Sequence, residues 1–276
     1  MSKNSLVLLR GGGDLATGVA LRLHRAGVKV VITELAQPLA VRRTVSFAEA
    51  VYEGSHTVEG VKAKLIEANQ LSAHPEQRRR GNDADEIPVI VDPNADILLS
   101  SFIFPVVIDA RLMKTPPSPL PTQPPLHIGL GPGFHAGRNC HAVIETRRSH
   151  TLGRVYWTGT TQPDTGEPEG DPRRVLRAPS DGVVIGKVNI GDHVEEGQVV
   201  AGISDQFSVV SPFKGVLRGL IHDGLNVKRG MKIGDVDARD DATACYLVSD
   251  KALAIGGGVL EAILSKKEIW DQLFAR

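Results

Sequence analysis

The chain has 276 residues, 41% of them hydrophobic, which is enough for two domains and a sizeable core. Basic and acidic side chains both total 32, so the formal net charge is zero, and no positive surplus marks a general nucleic-acid binder or a membrane-surface protein. No apolar run is long enough to span a bilayer, the N-terminus lacks a signal-peptide core, and two cysteines are too few for a disulfide framework, so a cytoplasmic protein is expected.

The apolar run Leu6–Val7–Leu8–Leu9 leads into Gly11–Gly12–Gly13. Leu15, Ala16, Val19, Ala20, Leu23 and Ala26 then share one helical face, Gly27 stops the helix, and Val28 to Thr33 forms a second β-type run ending at Glu34. Strand, glycine turn, helix and strand make a right-handed βαβ unit whose use is anion binding: glycines let the backbone approach a phosphate, and free N–H groups at the helix start point at it. The match to the dinucleotide fingerprint is partial, with Gly11 and Gly13 in the first two places and Ala16 in the third. Glu34, 21 residues beyond Gly13, is placed to accept from a ribose hydroxyl. Asp14 suits the helix dipole but repels a phosphate. A structural turn with no ligand is the alternative.

Further on, Arg42 and Arg43 open a predicted short helix running to Val51, either as an anion contact or as a solvated face. Val61, Ala63 and Leu65 alternate with lysines as in a half-buried strand, and residues 74–85, with Arg78–Arg79–Arg80, read as a polar loop or helix end. Pro88 to Asp92 is a brief strand, and Ile97 to Phe104 is apolar without deciding between helix and strand. Val106–Ile108 is a buried strand ending in Asp109 and Arg111, where open α/β sheets bind ligands; pairing of these charges with each other's neighbours at a strand end is the alternative. Residues 115–125 hold six prolines and must be an extended connector or lid. Leu126–Leu130 is the next strand, followed by Gly131, Gly133 and Gly137, a second candidate backbone cradle facing the same anion. Cys140, His141, Glu145 and His150 match no compact zinc spacing, so no metal site is assigned. The polar, Pro- and Gly-rich stretch 160–174 is the clearest domain boundary.

Behind it lies an internal repeat. Residues 178–203 superpose on 211–236 with a shift of 33: Pro179 on Pro212, Gly182 on Gly215, Gly186 on Gly219, Gly191 on Gly224 and Gly197 on Gly230. Neither four-strand unit can bury a face alone, so the copies should interlock. The pattern resembles the biotinyl/lipoyl domain, in which a lysine on the hairpin joining the halves carries the prosthetic group. Here that hairpin, Ser204 to Ser208, has no lysine, so covalent biotin or lipoate is not expected. In the tail, Cys245 to Ser249 is a predicted strand, and Gly256–Gly257–Gly258 precedes a helical stripe, either as a packing contact or as a third anion-facing turn.

The blocks RGGGDLATG (10–18), ELAQPLAVRRTVSFAEAVYEG (34–54), GLGPGF (129–134), HAVIET (141–146) and SDKALAIGGGVLEAIL (249–264) together resemble the YqeB family over nearly the whole chain; segments 72–87 and 115–125 depart from it. The resemblance implies a part in maturing selenium-dependent molybdenum hydroxylases, with such a hydroxylase or its maturation proteins as partner, and leaves open whether a reaction is catalysed. Three parts are expected: a Rossmann-like α/β domain over 1–172, an all-β barrel-sandwich hybrid over 173–238, and a strand and helix over 239–276 that could return to the first domain. The expected ligand is molybdenum cofactor or a nucleotide, with N–H donors from Gly11, Gly12, Gly13, Gly131 and Gly133. Glu34 would accept from a hydroxyl or pterin N–H, and Arg42 and Arg111, with Asp14 and Asp109 beside them, would set the charge. Cys245 or Cys140 would hold sulfur or selenium as a thiolate. The alternatives are an NAD(P)-dependent oxidoreductase and a non-catalytic adaptor docking through the β module. Self-association is left open.

Overall fold

The computed structural model describes residues 6–72, 86–167, 170–204 and 206–274. The predicted polar stretch 74–85, with its basic triplet 78–80, lies outside these residues.

The first half of the chain builds one nine-stranded sheet. Its strands are β1 (Leu6–Arg10), β2 (Lys29–Glu34), β3 (Ser55–Val58), β4 (Val61–Leu65), β5 (Ile87–Val91), β6 (Val106–Asp109), β7 (Leu126–Leu130), β8 (Ala142–Ile144) and β9 (Val155–Tyr156). They lie in the order β3-β4-β5-β2-β1-β6-β7-β8-β9. The seven strands from β4 to β8 in that order run parallel, and only the edge strands β3 and β9 pair antiparallel. Parallel strands are buried on both faces, which is why β1 and β6 open on unbroken apolar runs instead of alternating ones.

Helix α1 (Asp14–Arg25) joins β1 to β2. It starts at Gly13, carries Asp14 in its first turn and Arg22, His24 and Arg25 in its last, and so opposes its own dipole at both ends. It stops in a Schellman motif: Gly27 has φ +83°, its N–H bonds to His24 O at 2.9 Å, and Val28 N–H reaches Leu23 O at 2.9 Å. The region predicted as one helix from Arg42 to Val51 is two 3-10 turns, Arg43–Val45 and Phe47–Glu49, followed by the short α2 (Ala50–Glu53). Next come α3 (Ala68–Ser72) and α4 (Asp96–Ser101), the latter resolving the apolar stretch after Ile97 as helix. The link from β6 to β7 contains no helix, because its prolines supply neither N–H donors nor helical φ/ψ to their neighbours. It crosses the sheet as an extended strap whose Leu120 is buried with Leu8, Val107 and Leu98.

Two four-stranded antiparallel sheets form the second half: β10 (Val175–Arg177), β11 (Gly182–Gly186), β12 (His193–Val194), β13 (Val199–Ile203), β14 (Phe207–Val210), β15 (Gly215–Leu220), β16 (Asn226–Val227) and β17 (Lys232–Asp237). The orders are β10-β17-β15-β12 and β14-β13-β11-β16. Exchanging the repeat copies, β10 for β14, β11 for β15, β12 for β16 and β13 for β17, turns one sheet into the other. Each sheet therefore holds two strands from each copy, and a single core is shared by both, including Val184, Val200, Leu217 and Ile233.

The chain then returns to the first sheet. Cys245 ends a 3-10 turn, Ala242–Cys245, where a strand was predicted, because Asp241 caps this turn through Thr243 N–H. Helix α5 (Asp250–Leu264) starts at Ser249, whose side chain accepts from Ala252 N–H, and α6 (Lys267–Phe274) follows. The three glycines predicted to precede a helix lie inside α5. A Cβ on Gly256 would stand 2.7 Å from Gly18 O, and one on Gly18 would stand 2.6 Å from Ala252 Cβ. The two helices run side by side in the same direction with their backbones touching at this seam, and α5 buries Ala252, Ile255 and Val259 with Ile128 and Ile144 of the sheet. The β module meets the first half through residues 41–52: Arg43 Nε donates to Leu220 O at 3.1 Å, Tyr52 stacks on His222 at 3.9 Å, and Gly219 leaves room for Val41 O.

The seam gives a paired prediction. Gly257 has no atom near a built Cβ, so Gly257→Ala gains helix propensity alone and stabilises by about 0.5–1 kcal/mol. Gly256→Ala gains the same propensity but drives its methyl into backbone, an overpacking cost of about 1–3 kcal/mol, so the clash prevails and the variant is destabilised. Urea denaturation of both variants checks the opposite signs.

Candidate functional site

The strand order reverses beside β1: β2 lies on one side and β6 on the other. At such a switch point the loops leaving the carboxyl ends diverge and open a crevice. The loops here are Gly11–Gly13 after β1 and Ala110–Leu112 after β6.

The glycine loop is fixed from behind. Gly11 adopts φ +96° and its N–H bonds to Thr33 O at 2.8 Å. Gly12 O accepts from Ala48 N–H at 2.9 Å and from the buried Thr17 hydroxyl at 3.2 Å. A Cβ on Gly12 would stand 3.0 Å from Ala48 N, so this glycine serves close packing. Gly12 N–H donates to Glu34 Oε2 at 2.6 Å, and Leu35 N–H donates to Oε1 at 2.7 Å. Glu34 is thus seated on the loop itself. Burial raises its pKa, against the two N–H bonds that favour the carboxylate. Among the described residues, no hydrogen bond uses the N–H of Gly13 or Asp14.

These groups open on a cavity of about 1160 Å³ between the carboxyl edge of the sheet and the β module. Gly11, Gly13, Asp14, Glu34, Arg42 and Arg111 line it, so the structure brings these predicted residues together. The N-termini of α1 and α5 both reach it, through Gly13–Leu15 and Ser249–Lys251. Eight basic side chains in the lining meet seven acidic ones, so the side-chain surplus is small and the two positive helix ends add to it. Arg148 pulls Asp250, in the first turn of α5, down to about 2.

Arg42 is largely committed to structure. Its Nη2 donates to Ala244 O and Leu247 O at 3.2 and 3.0 Å, Nη1 stands 3.6 Å from Asp14, and its buried Nε has no partner. Arg111 leans on Asp109 through two bonds of 2.9 and 2.7 Å beside Gly11. Asp109 is fully buried, held also by Arg10 at 2.8 Å, and does not line the cavity; it positions Arg111 rather than touching a ligand.

Two expectations are corrected. Gly131 and Gly133 are no cradle: their N–H groups bond to Ile144 O and Met113 O at 3.3 and 2.7 Å, and neither lines the cavity. Gly133 is required because a Cβ would meet Met113 O at 2.4 Å under the proline strap. The cysteines are not placed as thiolate carriers. Cys140 is buried beside Phe134 and Val143, and burial pushes its thiol up to about 11. Cys245 lies in the core of the β module, its thiol facing Leu217 O, and burial raises its pKa despite Arg42 and Arg218 nearby.

The module supplies residues the sequence reading passed over: Arg174, Arg218, Lys232 and Asp235. Arg218 is the extra residue of a β-bulge, since Leu217 pairs with Val236 and Gly219 with Asp235. Bulges re-aim side chains, and this one directs Arg218 onto Asp235, which Arg174 also reaches. The repeat held a sign of this face. At a shift of 33, Arg218, Lys232 and Asp235 replace Ile185, Val199 and Gly202 of the first copy.

No family model matches the chain. Over 267 residues, 95% of its length, it is 46% identical to the uncharacterized protein YqeB of Escherichia coli (strain K12), which supports the YqeB resemblance. The alignment covers 48% of that protein, so the chain spans about half the length of the curated relative it matches. Among solved structures, an aspartoacylase family protein from Mesorhizobium loti and a succinylglutamate desuccinylase/aspartoacylase from Rhodobacter sphaeroides are each 12% identical over 84% of the chain, covering 84% and 85% of their own chains at TM-scores of 0.25 and 0.27. Scores this low carry no argument.

Glu34→Gln tests the seat on the loop. A raised folded-state pKa means that the contribution of Glu34 is fully present below the unfolded value of about 4.3 and is lost as pH rises through the folded value. The stability of the parent relative to Glu34→Gln therefore falls with pH above about 4.3, as chemical denaturation at several pH values would show. For the thiols, both cysteines should resist a disulfide-forming reagent at pH 7 in the folded protein and react fully in denaturant.

Proposed function

We propose that this YqeB-like chain binds a phosphate-bearing small molecule, molybdenum cofactor or a nucleotide, in the cavity at the switch point, as an accessory in the maturation of selenium-dependent molybdenum hydroxylases. The observation carrying the ligand class is the convergence of two helix N-termini, with the unbonded N–H groups of Gly13 and Asp14, on a cavity rimmed by Arg42, Arg111 and Lys232. The maturation role rests on the YqeB resemblance.

In this reading the sheet and its covering helices are a Rossmann-like domain, the interlocked repeat is a barrel-sandwich hybrid of the biotinyl/lipoyl kind without the swinging lysine, and residues 239–276 complete the first domain. The anion sits at the start of α1. Glu34 is the acceptor for a hydroxyl or pterin N–H, and a ligand reaching it competes with Gly12 and Leu35 for its oxygens. Gly131, Gly133 and both cysteines have no part in the proposal.

A second reading is an NAD(P)-dependent oxidoreductase, favoured by the switch point and by an acidic residue at the end of β2. Calorimetry and native mass spectrometry with molybdenum cofactor, mononucleotides, NAD and NADP separate the readings. Binding of the first two is expected. A preference for NAD or NADP would favour the oxidoreductase, and no binding of any would leave the adaptor. Arg111→Ala, which removes a cation beside Gly11, should weaken the bound anion by roughly 10- to 100-fold, the worth of one charge-assisted hydrogen bond.

A further inference from the structure

Lys232 differs from the other lysines near the module. Lys214 and Lys228 are exposed and paired, with Glu195 at 3.1 Å and Asp181 at 2.8 Å, and these partners raise their pKa values. Lys232 is half-buried in the cavity wall, and among the described residues no hydrogen bond or ion pair holds its nitrogen. It stands beside a second bulge, since Leu176 pairs with Gly234 but Arg177 with Lys232. The groups facing it are Arg174, Arg218 and Asp235 of the module and Asp14 across the cavity. Burial is the largest influence and lowers its pKa; the two arginines add to this, while Asp235 and Asp14 oppose it. Asp235 is already shared between Arg174 and Arg218, so its charge is largely spent. Desolvation beside other cations is how a lysine becomes a nucleophile near neutral pH.

We propose that Lys232 is a nucleophilic amine that captures, as an imine, a small carbonyl compound bearing an anionic group. The neutral amine attacks the carbonyl carbon and forms a C–N bond while the carbonyl oxygen takes up a proton. The carbinolamine then loses that oxygen as water, leaving a C=N bond to Lys232 with no net oxidation or reduction. The amine stands on the burial of Lys232 in the cavity wall without an ion pair among the described residues, whereas the anionic group rests on the proposed function and would lie at the start of α1.

The test uses the whole chain with pyridoxal 5′-phosphate or pyridoxal at limiting concentration and pH 7, followed by borohydride, whose hydride converts the imine to a stable secondary amine. Peptide mapping then locates the label. Labelling of Lys232 several-fold above Lys228 is expected, since a desolvated amine without an ion pair is the more nucleophilic of the two. Pyridoxal closes its 5′-hydroxyl onto its own aldehyde and so labels every lysine less than the phosphorylated probe; the preference for the phosphorylated probe should be larger at Lys232 than at Lys228, and Lys232→Arg should drop total incorporation to that of the exposed lysines. Labelling of Lys232 no greater than that of Lys228 overturns the proposal. Strong labelling of Lys232 with the same preference between the probes as at Lys228 overturns the anionic group and, with it, the anion site, while leaving the amine in place.

Discussion

Close contact between two parallel helices governs this structure. Side-by-side helices pointing the same way place like partial charges together, which is unfavourable unless packing offsets it. Here Gly18 and Gly256 let the backbones touch, and an acidic residue in each first turn, Asp14 and Asp250, offsets the positive ends. Because the seam fixes α5 against α1, residues 249–251 lie at the same cavity as the glycine loop, although the whole β module separates them in sequence. The site is therefore assembled from the beginning, the middle and the end of the described chain.

Within the β module, symmetry and its violation have separate causes. The shared core demands equivalent apolar residues in both copies, and Val184 and Leu217, or Val200 and Ile233, supply them. The outer faces are under no such demand. One sheet turns Arg218, Lys232 and Asp235 to the cavity, while the equivalent places on the other carry Ile185, Val199 and Gly202, with Val199 well exposed. The difference between the copies thus follows what each face meets.

Much of the first sheet was legible because β1, β2 and β6 are built on continuous apolar runs and β4 alternates, and the βαβ start follows from local sequence alone. The repeat was legible because turn glycines recur without gaps. What local sequence could not tell was which glycines serve a ligand and which serve packing. Gly12, Gly133 and Gly256 look alike in sequence, yet each stands against a different backbone: Ala48, Met113 and Gly18. Nor could it tell that Asp109 would be buried under Arg10, or that Cys245 would close the core of the module. These outcomes depend on contacts between residues far apart in the chain. The module's cationic face is legible only in the mismatches between the copies, because the matches carry the shared core and the turns.

The seam also sets an order of events during synthesis. The ribosome delivers α1 well before α5, so the apolar face of the first sheet lacks the cover of α5 while the β module is being made. Contacts spanning such sequence distances form slowly and leave sticky surface exposed in the interim. A released chain lacking everything from Ser249 onward would carry a finished β module beside an unfinished sheet, with apolar surface open to a chaperone.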